Sequence, residues 1–109
     1  MPATLPLPEV EEETSVSQQK SPRYNVVLFD DDEHSYAYVV EMIMTLFGMT
    51  AEEGFNVAYD VDHIGQAVVL TADYEKAVEA QKKIISYGPD HRLPNSKGSM
   101  GATVEPAGD

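Results

Sequence analysis

Cysteine is absent from the 109 residues, which excludes a disulfide framework, a thiol nucleophile and any thiolate-bound metal. No apolar run approaches the ~20 residues that a membrane-spanning helix needs. Basic residues are scarce: 7 Lys and Arg stand against 19 Asp and Glu, for a formal net charge of −12. A field of that sign repels phosphate backbones and anionic headgroups, so neither nucleic acid nor a membrane surface is an expected partner. No run of Lys or Arg makes a local exception. The opening residues MPATLPLPEV have no basic segment and are broken by prolines and Glu9, so no secretory leader is expected and the chain reads as cytoplasmic. Length allows one domain with a thin core, since a chain of this size buries only roughly 60–68% of its unfolded surface.

Residues 1–22 differ from the rest. Four prolines, the run Glu11-Glu12-Glu13 and a polar Ser/Gln stretch give no lasting hydrophobic period. Such a segment does not bury enough apolar surface to offset its ordering entropy, and it is expected to be a disordered arm. The folded domain is expected over 23–105, with a short tail at 106–109. A β-rich apolar run, Asn25-Val26-Val27-Leu28-Phe29, stops at Asp30-Asp31-Asp32-Glu33. Tyr36, Val39, Val40, Ile43, Met44 and Phe47 then recur at helical spacing, and Gly48 ends the helix. Thr50-Ala51-Glu52-Glu53 reads as a capping box that opens a second helix, from about Ala51 to Val61, burying Phe55 and Ala58. A strand over Gln66–Leu70 follows, then a third helix from about Ala72. That helix carries Ala77, Ala80, Gln81, Ile84 and Ile85 on one stripe and is stopped by Tyr87-Gly88-Pro89. Ala102-Thr103-Val104 makes the last strand. The predicted fold is α+β: a small β-α-α-β-α-β domain, a three-stranded antiparallel sheet with three helices packed on one face.

Charge is divided along this domain. Between Tyr24 and Tyr74 there are ten carboxylates and no Lys or Arg, whereas five basic residues follow between Lys76 and Lys97. The run Asp30-Asp31-Asp32-Glu33-His34 is the sharpest feature. Its plainest reading is a solvated cluster at a helix N-terminus, where negative charge is worth ~0.3–1 kcal/mol per group. A phosphoacceptor pocket of the receiver-domain kind would need about five β/α repeats, more than this length holds. Asp30, Asp32, His34 and Glu41 match EF-hand positions, but the obligatory glycine is replaced by Ser35. A third reading is capture of a free amino terminus, because an ammonium offers three donors and calls for several acceptor oxygens. Asp30, Asp31 and Asp32 offer the oxygens, and such a site needs an apolar pocket beside them. Tyr36, Val39, Ala58, Val61 and Met100 supply one if the first two helices and the last loop converge.

Phe29-Asp30-Asp31-Asp32, Tyr36-Ala37-Tyr38-Val39, Val61-Asp62-His63-Ile64-Gly65-Gln66-Ala67 and Thr71-Ala72-Asp73 follow one another in a familiar order. The stretch from Tyr24 to Glu105 resembles the ClpS family, adaptor proteins that deliver substrates to a Clp-type AAA+ protease. The resemblance implies a non-enzymatic, cofactor-free adaptor that binds N-degrons, substrates whose first residue is bulky and hydrophobic. It places Asp30, Asp31 and Asp62 around the α-amino group, and Tyr36, Val39, Ala58, Val61 and Met100 around the first side chain. The implied partners are the unfoldase's N-terminal domain and N-degron peptides, with the adaptor acting as a monomer.

Several positions depart from the family pattern. Asp30 stands where the family has Asn, so a group that donates and accepts becomes acceptor-only. Asp62 stands where the family has His, and His63 is displaced by one position, a rotation of about 100° around a helix. Tyr36 and Ala58 replace methionines, exchanging two adaptable side chains for one rigid ring and one gap. His34-Ser35 replaces Thr-Pro at the helix start. A clamp made only of carboxylates still suits an ammonium; the rival readings are an acidic metal-binding or phosphoacceptor signalling domain built on Asp30 to Asp32, and a relative whose N-degron recognition is altered or lost.

Overall fold

The computed structural model describes residues 22–108, so the predicted arm lies outside the described residues except for Pro22, as does Asp109 of the predicted tail. The elements are β1 (Tyr24–Phe29), α1 (Tyr36–Phe47), α2 (Ala51–Ile64), β2 (Gln66–Ala72), α3 (Tyr74–Ile85) and β3 (Ala102–Pro106), in the predicted order. The sheet runs β2-β1-β3 and is antiparallel throughout. β1 takes the centre because its apolar residues are consecutive rather than alternating. Val26, Val27 and Leu28 are all buried, as a strand hydrogen-bonded on both edges allows. Val26 and Leu28 join Ala67, Val69 and Ala102 in one core with Tyr38, Met42, Ile43, Ala77 and Ile84 from the helices.

Side chains and glycines set the helix limits. Ser35 caps α1 by accepting from the Tyr38 N–H, and Gly48 closes it at φ 66°. Thr50 and Glu53 complete both halves of the predicted capping box on α2. That helix runs beyond the predicted Val61 to Ile64, because nothing interrupts it before Gly65, which takes φ 101°. Asp73 caps α3, so the helix begins at Tyr74 rather than Ala72, and Ala72 stays in β2 opposite Tyr24. β3 likewise extends to Pro106, which pairs with Tyr24.

Three apolar residues predicted on buried stripes are not buried. Phe55 and Ile85 are each 51% exposed, and Met44 of the first helical stripe is 41% exposed. A two-layer fold covers each helix on one side only, so an apolar residue at the edge of a stripe stays in water. α1 is the exception. It is apolar on most of its circumference and buries Tyr38 and Met42 as well as Val39 and Ile43. It also approaches α2 closely: a Cβ on Gly54 would lie 3.2 Å from the backbone of Val40.

The segment between α3 and β3 is fastened to the start of α1. Asp90, fully buried, accepts from Ser35 N–H (2.8 Å), Ser35 Oγ (2.7 Å), Arg92 N–H (3.1 Å) and Arg92 Nη1 (3.1 Å). Arg92 also pairs with Glu41 on α1. The Tyr38 hydroxyl donates to the Gly88 carbonyl at 2.6 Å. These contacts carry Met100 to the end of α1 nearest the acidic loop.

Candidate functional site

Where β1 ends, the backbone is held from two sides. Phe29 N–H donates to the Gly101 carbonyl (3.2 Å) and Asp30 N–H to the Gly65 carbonyl (3.0 Å). The first bond ties the acidic loop to the segment carrying Met100, and the second ties it to the end of the helix carrying Asp62. The predicted convergence of two helices and the last loop follows from these bonds and from the packing of α1 on α2.

Between them lies a cavity of about 150 Å³. All eight residues predicted for the amino-group and side-chain sites line it: Asp30, Asp31 and Asp62, together with Tyr36, Val39, Ala58, Val61 and Met100. Val39, Ala58, Val61 and Met100 are 2–4% exposed and form an apolar floor. Asp30 and Asp62 are exposed, and Asp31 is partly buried. The cavity is thus greasy at its base and oxygen-rich at its mouth. That combination accepts hydrogen bonds from a cation while removing an attached apolar group from water.

Three further residues line the cavity: Asp32, which belongs to the acidic run expected to supply oxygens, and His34 and Ser35, which were not predicted as site residues. The acidic run lies just before the Ser35 cap, with Asp30, Asp32 and Glu33 exposed, and the first turn of α1 itself holds no acidic residue. Ser35 is the cap, and the carboxylates precede it. Asp31 Oδ1 accepts from Glu33 N–H at 2.9 Å, and His34 Nδ1 lies 2.8 and 2.9 Å from the two Asp31 oxygens.

Tyr36 spans the mouth. Its hydroxyl donates to Asp62 Oδ2 at 3.1 Å and its ring lies 5.6 Å from that of Phe55. Partial desolvation, the bond to Asp62 and the neighbouring negative charges raise the phenol above its ordinary value, so it remains a donor. His63 takes no part in the cavity lining. Its Nδ1 lies 2.9 Å from the Tyr59 carbonyl and its ring stacks on Tyr59 at 3.9 Å, as the one-position displacement on a helix requires. Among the described residues no group of three or more His, Asp and Glu is arranged to hold a metal ion.

The sequence model of the family described as ATP-dependent Clp protease adaptor protein ClpS matches residues 19–94. This chain belongs to the ClpS family. Adapter proteins of the family with similar sequences include that of Acetivibrio thermocellus, 35% identical over 68 residues, which are 62% of this chain and 69% of that protein. The Ruegeria sp. protein is 30% identical over 76 residues, 70% of this chain and 67% of its own length. Among solved structures, that of Agrobacterium tumefaciens ClpS2 bound to L-phenylalaninamide superposes with a TM-score of 0.68. It covers 80% of this chain and 99% of that one at 24% identity, which is a likeness of fold. The antiparallel three-stranded sheet also sets aside a receiver-type phosphoacceptor, which needs repeated β/α units.

Proposed function

We propose that this ClpS-family chain is a non-enzymatic adaptor that grips the free amino end of a client with a bulky hydrophobic first residue and delivers it to a Clp-type AAA+ unfoldase. One observation carries this reading: the carboxylates of Asp30, Asp31 and Asp62 border the same cavity as the apolar floor of Val39, Ala58, Val61 and Met100. The α-ammonium takes the oxygens and the first side chain takes the floor. At about 150 Å³ the cavity has room for one side chain rather than for a longer stretch of peptide. The fold neighbour bound to L-phenylalaninamide, a ligand with a free amine and an aromatic side chain, supports the same class of ligand. Asp30 and Asp62 act as acceptors, and Tyr36 holds the Asp62 carboxylate at the mouth. Another face docks the unfoldase's N-terminal domain, residues 1–22 serve as the arm that the unfoldase engages, and the adaptor works as a cytoplasmic monomer.

A fluorescent peptide beginning with Leu, Phe, Tyr or Trp, titrated beside its N-acetylated twin, tests the reading. The free-amine peptide is expected to bind at least tenfold more tightly. Equal affinities reject the clamp.

A further inference from the structure

His34 is the most completely buried titratable ring at the site, with its side chain 2% exposed. Both ring nitrogens face acceptors. Nε2 lies 2.6 Å from the carbonyl oxygen of Gly98, which has no proton to give. Nδ1 lies 2.8 and 2.9 Å from the two oxygens of Asp31. A neutral imidazole carries one N–H and one lone pair, so it satisfies only one of these partners. The other nitrogen would then point a lone pair at an oxygen within hydrogen-bond distance. The geometry is met when both nitrogens donate.

We propose that His34 is the positioning residue of the cavity: a doubly donating imidazolium that braces the Asp31 carboxylate with one N–H and the Gly98 carbonyl with the other. Nothing in the family resemblance assigns this role. The two partners belong to opposite walls, because Asp31 sits in the loop after β1 and Gly98 lies two residues before Met100 in the segment that leads into β3. Loss of the Nδ1 proton frees Asp31, and loss of the Nε2 proton frees the Gly98 turn and Met100 with it. Either event opens one wall.

Other groups around the ring are fewer and weaker. The Tyr38 ring of α1 packs on it at 4.4 Å and 45°, an arrangement that favours a cation. Ser35, beside it, is held by Asp90, whose charge is in turn paired with Arg92. Asp30, Asp32 and Asp62 line the same cavity as the ring. Deprotonation of His34 therefore has two opposed effects on a bound ammonium. It leaves one more uncompensated carboxylate, which attracts the ligand through water-exposed and screened charges. It also removes a buried brace, and a loosened wall forfeits both alignment and the apolar contact of Met100. The second effect dominates, so affinity falls as the ring loses a proton.

This inference rests on the amino-terminus reading for its binding consequence but not for its protonation state. Side-chain ¹⁵N spectra of the free protein follow His34 across pH 5.5–8.5. Both nitrogens are expected to be protonated at pH 6, with the Gly98 and Met100 amide signals moving at the same midpoint as the ring. A single-proton tautomer at pH 6 overturns the proposal whether or not any peptide binds. Peptide affinity is then measured over the same range for the native chain, for His34→Gln and for His63→Gln, which removes the other histidine near the clamp, its Nδ1 3.6 Å from Asp62. The native chain and His63→Gln should lose about tenfold in affinity through the His34 midpoint, beyond the peptide's own amine titration. His34→Gln should start about tenfold weaker and follow the amine alone. Affinity that rises through that midpoint, or a His34→Gln profile matching the native one, also overturns it. If the spectra agree and no peptide binds, the brace stands and the amino-terminus reading is what fails.

Discussion

A carboxylate with no exposed surface is costly unless its oxygens are fully paired, and Asp90 shows how this fold meets that demand. Burial works against its charge, but the bonds from Ser35 and Arg92 outweigh burial and hold the carboxyl well below the usual carboxylate range. The sign of the resulting pH dependence follows. A depressed folded-state value contributes stability that is complete above the ordinary carboxylate value of about 3.9, and is lost as pH falls from there toward the folded value. Asp90→Asn is expected to lower the unfolding free energy at pH 7 by about 2–3 kcal/mol, as for a buried group whose charged bonds are weakened. It should also flatten the fall in stability below pH 4. Urea melts of both chains from pH 7 to pH 2 measure this, and parallel curves would remove Asp90 as the cause. None of this was legible in the sequence, where Asp90 sits in a polar loop between Gly88-Pro89 and His91 and resembles any solvated turn residue. Arg92 lies only two residues on, but Ser35 is brought to Asp90 by the return of the chain.

At the scale of elements, caps and close approaches decide where the cavity's walls stand. Ser35 has two tasks, capping α1 and donating to Asp90. Ser35→Ala should therefore cost more than an ordinary cap, about 2 kcal/mol against a typical 1. Chemical denaturation checks the value, with Thr50→Ala on α2 as the ordinary cap for comparison. Gly54 presents a closer contest. Alanine in a helix interior gains up to ~1 kcal/mol over glycine, but its Cβ would meet the Val40 Cα and carbonyl oxygen at 3.2 Å. Backbone atoms yield less readily than side-chain ends, and overpacking costs ~1–3 kcal/mol, so Gly54→Ala should destabilise by about 1 kcal/mol net. A variant more stable than the native chain would show that α1 and α2 separate freely. Element order, helix type and one N-cap, Thr50, were readable from periodicity and capping residues. Phe55 and Ile85 were misplaced because periodicity gives the direction of a stripe and not its width. How much of that stripe finds a neighbour depends on the second layer.

The whole molecule adds a field that no single residue carries. Ten carboxylates without a Lys or Arg lie between Tyr24 and Tyr74, four of them (Asp30, Asp31, Asp32 and Asp62) lining the cavity, and Arg92 pairs with Glu41 and Asp90. A ligand with a positive amino end is drawn to such a surface, and exposed charges are screened over about 10 Å at 0.1 M salt. Peptide affinity is expected to fall roughly fivefold between 0.05 and 0.5 M NaCl, the loss a screened field of this size produces. Titration at the two salt concentrations measures it, and an unchanged Kd would leave the apolar floor as the main source of binding. The sequence by itself determined the composition of this site and the secondary structure that displays it, because hydrophobic period, caps and the run of aspartates are local properties. Only the tertiary structure decided that Asp31 leans on His34, that Asp90 fastens the Met100 segment, and that Asp62 faces the cavity while His63 does not. Those outcomes depend on which backbone atoms lie opposite each side chain after distant segments meet, and no spacing along the chain encodes that distance.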